Sequence, residues 1–222
     1  IWKYDPNVDA SYGRRACCDV VNRGVAVWEG KVYVGTLDGY MVCLNAADGK
    51  EVWRKDSFTD RTKAYTITSP PQVAGPVVMI GNSGGEYGVR GYITAYDLKT
   101  GEQKWRFFMA PGDPKNGFEH EEMKIASATW DPNSSWETGG GGTSWGESAY
   151  DPELKLLYVG MALPDYSRRN MGLYRHHEYR VGGYKHKWKA KKGFNAGAEE
   201  RFLLCIGPGH RGTVICGEIQ SS

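Results

Sequence analysis

Cys43-Leu44-Asn45-Ala46-Ala47-Asp48-Gly49-Lys50-Glu51-Val52-Trp53 returns later in the chain as Ala95-Tyr96-Asp97-Leu98-Lys99-Thr100-Gly101-Glu102-Gln103-Lys104-Trp105. Each copy opens on a small residue, turns on Asn or Asp and then Gly, and runs through a short strand into a tryptophan. Trp53 and Trp105 stand 52 residues apart, and Trp2 precedes Trp53 by 51. A period near 50 that carries four short strands per unit marks the blades of a β-propeller, with each Trp ring packing on the neighbouring blade.

Working outward, apolar runs alternate with turn signals. Residues 25–28 lead through Glu29-Gly30 into 31–35. Asp38-Gly39 leads into 40–44, and Asp48-Gly49 into 51–53. Residues 77–81, 92–96 and 103–107 repeat the style, and 156–160 begin another round. These are hairpins in series. One helix is expected over 119–128, after the Pro111-Gly112-Asp113-Pro114 turn. The fold class is therefore all-β: a propeller fragment of about three four-stranded blades, too few to close a ring on this chain alone.

The 222 residues are enough for one domain with a core, and 40% hydrophobic with 24% charged residues is ordinary for a globular protein. Thirty glycines and 13% aromatics favour strands and tight turns over long helices. The chain starts Ile1-Trp2-Lys3 with neither Met nor a charged-then-apolar leader, as a mature chain or internal fragment does. No run of 18 apolar residues is present, so no transmembrane helix is expected. The net charge of +2 hides a split: residues 1–163 hold 17 basic and 21 acidic side chains, residues 164–222 hold 11 and 5. Seven of the eight tryptophans lie in the first part. The organisation reads as a patterned region, 1–163, and a basic tail, 164–222.

The stretch Gly13-Arg14-Arg15-Ala16-Cys17-Cys18-Asp19-Val20-Val21-Asn22-Arg23-Gly24 resembles the quinoprotein alcohol dehydrogenases, eight-bladed propellers that bind pyrroloquinoline quinone (PQQ) and calcium. Asn82-Ser83-Gly84-Gly85-Glu86-Tyr87-Gly88-Val89-Arg90-Gly91 resembles that family's calcium and cofactor loop, and Gly139-Gly140-Gly141-Gly142-Thr143-Ser144-Trp145 resembles the segment that floors the quinone. Taken singly these residues are unremarkable. Glu86 reads as a surface carboxylate, Arg23 as a solvated charge, Trp145 as core, and Cys17 and Cys18 as two reduced thiols. Their joint order carries the resemblance.

What the resemblance implies is specific. Cys17–Cys18 becomes a disulfide between adjacent residues lying against the cofactor plane, which implies an oxidising compartment, the periplasm. Trp145 becomes the opposite wall. Arg23 contacts the quinone oxygens, Thr68 hydrogen-bonds the cofactor, and Ser83, Gly84 and Gly85 bring hydroxyl and backbone groups to its carboxylates. Glu86 becomes a calcium ligand, a hard oxygen donor for a hard cation, with a lanthanide left open. The reaction implied is oxidation of a small primary alcohol to an aldehyde, with electrons passed to cytochrome c or another acceptor. A haem c domain is compatible with the longer parent. The Cys-Cys-Asp-Val-Val-Asn-Arg-Gly wording lies nearer the cytochrome-linked ethanol-type enzymes than the methanol enzymes.

Parts of the pattern fall short. The family's upstream glutamate would lie before Ile1, and its catalytic aspartate past residue 163, where no matching Asp-x-x-x-Asp segment occurs. After Gly160 the family continues with a calcium-binding Asn, whereas this chain has Met161-Ala162-Leu163. We therefore expect a reading-frame break near 160–163, followed by a tail of unknown structure with much disorder. His176, His177 and His186 lack carboxylates to orient them as metal ligands. The 187–192 lysine run suggests no more than a solvated segment, so nucleic acid is not expected as a partner. Cys205 and Cys216 are a pair only by count. Two other functions stay open: a PQQ-like repeat scaffold or sensor without quinone, and an inert truncated product.

Overall fold

The computed structural model describes residues 1–128, 136, 139, 141–146, 148–153 and 155–160, and the strands 201–206 and 215–220. Leu163, the tail histidines and the 187–192 lysine run lie outside the described residues.

Two complete propeller blades and part of a third are present. The first blade is an antiparallel meander of β1 (Ala26–Trp28), β2 (Lys31–Gly35), β3 (Tyr40–Asn45) and β4 (Glu51–Asp56). The second repeats it with β5 (Gln72–Ala74), β6 (Val77–Gly81), β7 (Tyr92–Asp97) and β8 (Gln103–Phe108). Both copies break register at equivalent points, Cys43/Leu44 and Ala95/Tyr96. Both close on a glycine with positive φ, 72° at Gly49 and 69° at Gly101. Asp97 holds its turn by accepting from the Lys99 and Thr100 amides at 2.9 Å each.

Those glycines carry the tryptophans. Trp2 Nε1 donates to Ala46 O (2.8 Å), and its ring lies where a Cβ on Gly49 would sit, 2.5 Å away. One blade later Trp53 Nε1 donates to Leu98 O (3.3 Å), with its ring 2.6 Å from the Cβ position of Gly101. A side chain at either glycine would collide with the ring, so the turn residue serves both its own φ and the neighbouring blade.

The two middle strands of the second blade, β6 and β7, are buried on both faces, because each face meets another blade. Val78, Ile80, Tyr92 and Tyr96 pack toward the first blade. Val77, Met79, Ile93 and Ala95 pack toward the third. Polar tips in these layers find main-chain partners. Tyr33 Oη donates to Leu98 O (3.0 Å) and Tyr92 Oη to Ser57 O (2.6 Å). Burial pushes the Tyr92 phenol far above its ordinary range, so it remains a neutral donor.

The helix expected over 119–128 is observed as α1 (Glu121–Ser127), with Glu121 and Glu122 in its first turn facing the positive end of the helix dipole. The third sheet starts as a blade does, with β9 (Ser148–Asp151) antiparallel to β10 (Leu156–Val159). It then departs. β11 (Arg201–Ile206) joins β10 in parallel, with Tyr158 opposite Cys205, and β12 (Ile215–Gln220) returns antiparallel to β11. The tail thus holds a hairpin where disorder was expected, since 202–206 is an unbroken apolar run able to add to an open strand edge. Among the described residues no helix is long and apolar enough to cross a membrane.

Candidate cofactor site

Three blades send segments to a common slot, the second of them two. From the first comes the loop before β1. Its six-residue 3-10 turn, Ala10–Arg15, is started by Asp9, whose carboxylate accepts from Ser11 N (2.7 Å) and is held below the ordinary carboxylate range chiefly by that residue. Just beyond it the sulfurs of Cys17 and Cys18 meet at bonding distance, with Cα atoms 3.8 Å apart. Asp19 follows in a left-handed conformation, φ 65°, which turns the chain back toward the blade.

The second segment is the extended chain leading into β5. Ile67 points inward over Gly35, where a side chain would strike it. Alternation therefore sends Thr66 and Thr68 to the opposite side. Thr66 bridges antiparallel to Ser83, and the Thr68 and Ser83 hydroxyls lie 2.7 Å apart, both buried. Ser83 belongs to the loop between β6 and β7, which is pinned at its neck by Asn82. The Asn82 side chain accepts from Tyr92 N (2.8 Å) and donates to Ser83 O (3.2 Å).

The segment from the third blade carries Trp145. Main-chain bonds hold it to the 81–91 loop: Gly91 N donates to Gly141 O (2.6 Å) and Gly141 N to Val89 O (3.1 Å). Gly81 lies against Ser144 O and Gly91 against Gly142 O so closely that a Cβ at either position would overlap that oxygen. Arg90, at the end of the loop, is bidentate to Glu119 (2.6 and 3.0 Å) and donates to Ala110 O (2.7 Å). That guanidinium holds the Glu119 carboxyl below its usual range.

The slot is lined by Ala16, Cys17, Cys18, Arg23, Thr66, Thr68, Ser83, Glu86 and Trp145. Seven of the nine residues picked from the sequence thus meet in one place. Gly84 and Gly85 do not line it. Gly84, φ 102°, sits under Ala64 O, and Gly85 lies against Thr143. They shape the loop rather than the wall. Thr66 and Ala16 were not picked; the alternation around Ile67 was the available signal for Thr66. Arg23 lies over the Trp145 ring, its guanidinium carbon 5.1 Å from the centroid, and donates to Thr68 O through its backbone N (3.1 Å) and Nη1 (3.3 Å). A larger cleft, lined by Tyr65, Arg90, Phe108 and Glu119 among others, lies outside this constellation, and its Arg90 and Glu119 are paired with each other.

The donor set suits a flat polyanionic ring: an indole face, a sulfur pair, one guanidinium and the hydroxyl residues Thr66, Thr68 and Ser83. It falls short for a metal. Glu86 is the one carboxylate on the slot, and no group of three or more His, Cys, Asp or Glu able to hold an ion occurs among the described residues.

The family model for the PQQ glucose/ethanol/alcohol dehydrogenase β-propeller domain matches residues 1–178. The chain is 57% identical over 161 residues to the quinohemoprotein alcohol dehydrogenase of Comamonas testosteroni, covering 72% of this chain and 23% of that protein. The solved structure of that enzyme superposes with a TM-score of 0.71 over 72% of this chain and 24% of its own. The 1-butanol dehydrogenase (cytochrome c) of Thauera butanivorans is 53% identical over 132 residues, 60% of this chain and 19% of that protein. A europium-containing methanol dehydrogenase structure is more distant, at 38% identity and TM-score 0.62 over 73% of this chain and 29% of its own. The chain spans about a quarter of the length of these relatives. With the repeat, the slot and the sequence similarity in agreement, the chain belongs to the PQQ-dependent alcohol dehydrogenase β-propeller family.

Proposed function

We propose that this chain is the cofactor-holding part of a PQQ-dependent dehydrogenase that oxidises small primary alcohols and passes electrons to a cytochrome c. The observation that carries the reading is the convergence of Cys17–Cys18, Arg23, Thr68, Ser83 and Trp145, from three blades, on one slot. The names of the relatives support the alcohol and the cytochrome. Adjacent cysteines joined as a disulfide fit an oxidising compartment, and we assign the protein to the periplasm.

When bound, PQQ supplies a two-electron acceptor for the alcohol's hydride. The chain's own residues do the holding. Trp145 and the Cys17–Cys18 pair bound the two faces. The Thr68 and Ser83 hydroxyls, already bonded to each other, offer a donor to a carboxylate. Arg23 adds a permanent positive charge beside the quinone oxygens, where negative charge grows on reduction. Arg23 stacks on the Trp145 ring, so a quinone laid on that same face would have to displace this contact. Separating that pair costs about 0.5–1 kcal/mol at an exposed site. We assign Glu86 as one ligand of a calcium or lanthanide ion. The remaining oxygens of a six- to eight-ligand shell must come from elsewhere, and no step is derived through the metal.

Equilibrium dialysis of the full chain against PQQ tests the reading. Stoichiometric retention is expected, weakened about tenfold or more in Arg23→Ala, the order of a hydrogen bond to a charged group. A chain with a native near-UV circular dichroism spectrum that retains no PQQ would overturn it.

A further inference from the structure

Arg23 is held at its backbone in an unusual way for an exposed loop residue. The side chain of the residue before it, Asn22, grips both sides of it. Asn22 Oδ1 accepts from Gly24 N (2.9 Å), which closes an Asx turn across Arg23. Asn22 Nδ2 donates to Gly35 O (2.9 Å), which fastens that turn to the end of β2. Arg23 N in turn donates to Thr68 O (3.1 Å), on the segment that enters the second blade. Gly35 cannot drift, because Ile67 and Ile80 pack where its side chain would be. The Cα of Arg23 is therefore fixed between two blades, while its guanidinium reaches the third at Trp145.

We propose that Asn22 is a positioning residue for the cofactor: it anchors the base of Arg23 so that one mobile guanidinium can cover Trp145 and then return to a bound quinone at a fixed reach. This rests on the reading of the slot as a PQQ site. Asn22 itself does not line the slot, so its action passes through Arg23. Gly24, φ 140°, completes the device, since the turn that Asn22 closes delivers the chain to a conformation that glycine tolerates best.

The test is a double-mutant cycle read by PQQ dialysis on the full chain, with melting temperature as the fold control. Asn22→Ala is expected to weaken PQQ retention about tenfold while moving the melting temperature by only about 1–2 °C, as for an exposed substitution. Asn22→Ser keeps a side-chain acceptor for Gly24 N and loses the bond to Gly35, so it should fall between parent and Asn22→Ala. In an Arg23→Ala background Asn22→Ala should have no further effect on retention, because the group it positions is gone. Equal losses in both backgrounds, or no loss from Asn22→Ala in the parent, would overturn the proposal and leave the PQQ reading intact. Should Arg23→Ala itself retain PQQ like the parent, the reading of Arg23 fails and this proposal fails with it. If Asn22→Ala does not fold, the same comparison is made with Asn22→Ser.

Discussion

Gly91 is the residue on which the slot's width depends. Its amide bonds to Gly141, and its α-carbon lies so near Gly142 O that no side chain fits between them. Backbone against backbone is a stiff contact, because neither partner can answer by changing rotamer. Gly91→Ala should therefore push the Trp145 segment off the 81–91 loop. We expect a loss of about 1–3 kcal/mol in urea unfolding, the usual cost of overpacking. PQQ retention should fall by more than that loss of fold accounts for. A variant with parent-like stability and retention would show that the segment shifts freely. No reading of the sequence alone reaches this point. The chain shows four glycines at 139–142 and others at 81 and 91, and nothing local tells that one set is laid on the other. Gly84 and Gly85 teach the same lesson. Their neighbours in the sequence suggest cofactor contact, and in space Gly84 lies under Ala64 O and Gly85 against Thr143, contacts that no local reading shows.

Among the elements, the strands that alternate or end in Asp-Gly turns were legible. β2 and β6 fall on the residues expected, and β3, β7 and β8 extend one residue further. The strands that were not foreseen are those without a periodic signature. β5 is three residues, Gln-Val-Ala, placed after Pro70-Pro71, and β9 is four, Ser-Ala-Tyr-Asp. Their pairing comes from the sheet, not from propensity. α1 was expected two residues earlier, and its start is tied to the 81–91 loop through the Arg90–Glu119 pair just before it. That tie has a pH signature. Glu119 is held below the ordinary carboxylate range by Arg90, so it binds its proton less readily folded than unfolded. Its contribution is present above the unfolded carboxyl value of about 4.3, and is lost as pH falls through the lower folded value. Comparing Glu119→Gln with the parent, the gap in melting temperature should hold steady from about pH 5 to 7 and narrow below about pH 4. The pair is partly exposed, so the gap should be small. A gap independent of pH down to pH 3 would contradict the assignment.

At the scale of the whole molecule, two blades obey one rule and the third breaks it. Every pairing in the first two sheets is antiparallel, as a meander requires, whereas β11 meets β10 in parallel. A parallel neighbour needs a long crossover, and 41 residues, 160–200, separate β10 from β11. The break in polarity follows Gly160, after which the sequence reads Met161-Ala162-Leu163. We expect resequencing of the coding DNA across codons 155–170 to find one base whose gain or loss restores Gly-Asn after Gly160, with a further tryptophan repeat downstream. A frame verified as written would make the parallel junction of β10 with β11 part of what this gene encodes. The hook of Trp2 over Gly49 and of Trp53 over Gly101 bears on how such chains are inherited. A heritable unit here is not a sheet but a sheet together with the clasp on its successor. Tandem duplication or deletion of 51 or 52 residues keeps every clasp matched wherever the cut falls. A change of a few residues within the strands between a tryptophan and the next turn glycine would shift the ring off that glycine, whereas one in a connecting loop can be absorbed, so the spacing along the strands matters more than the loop length.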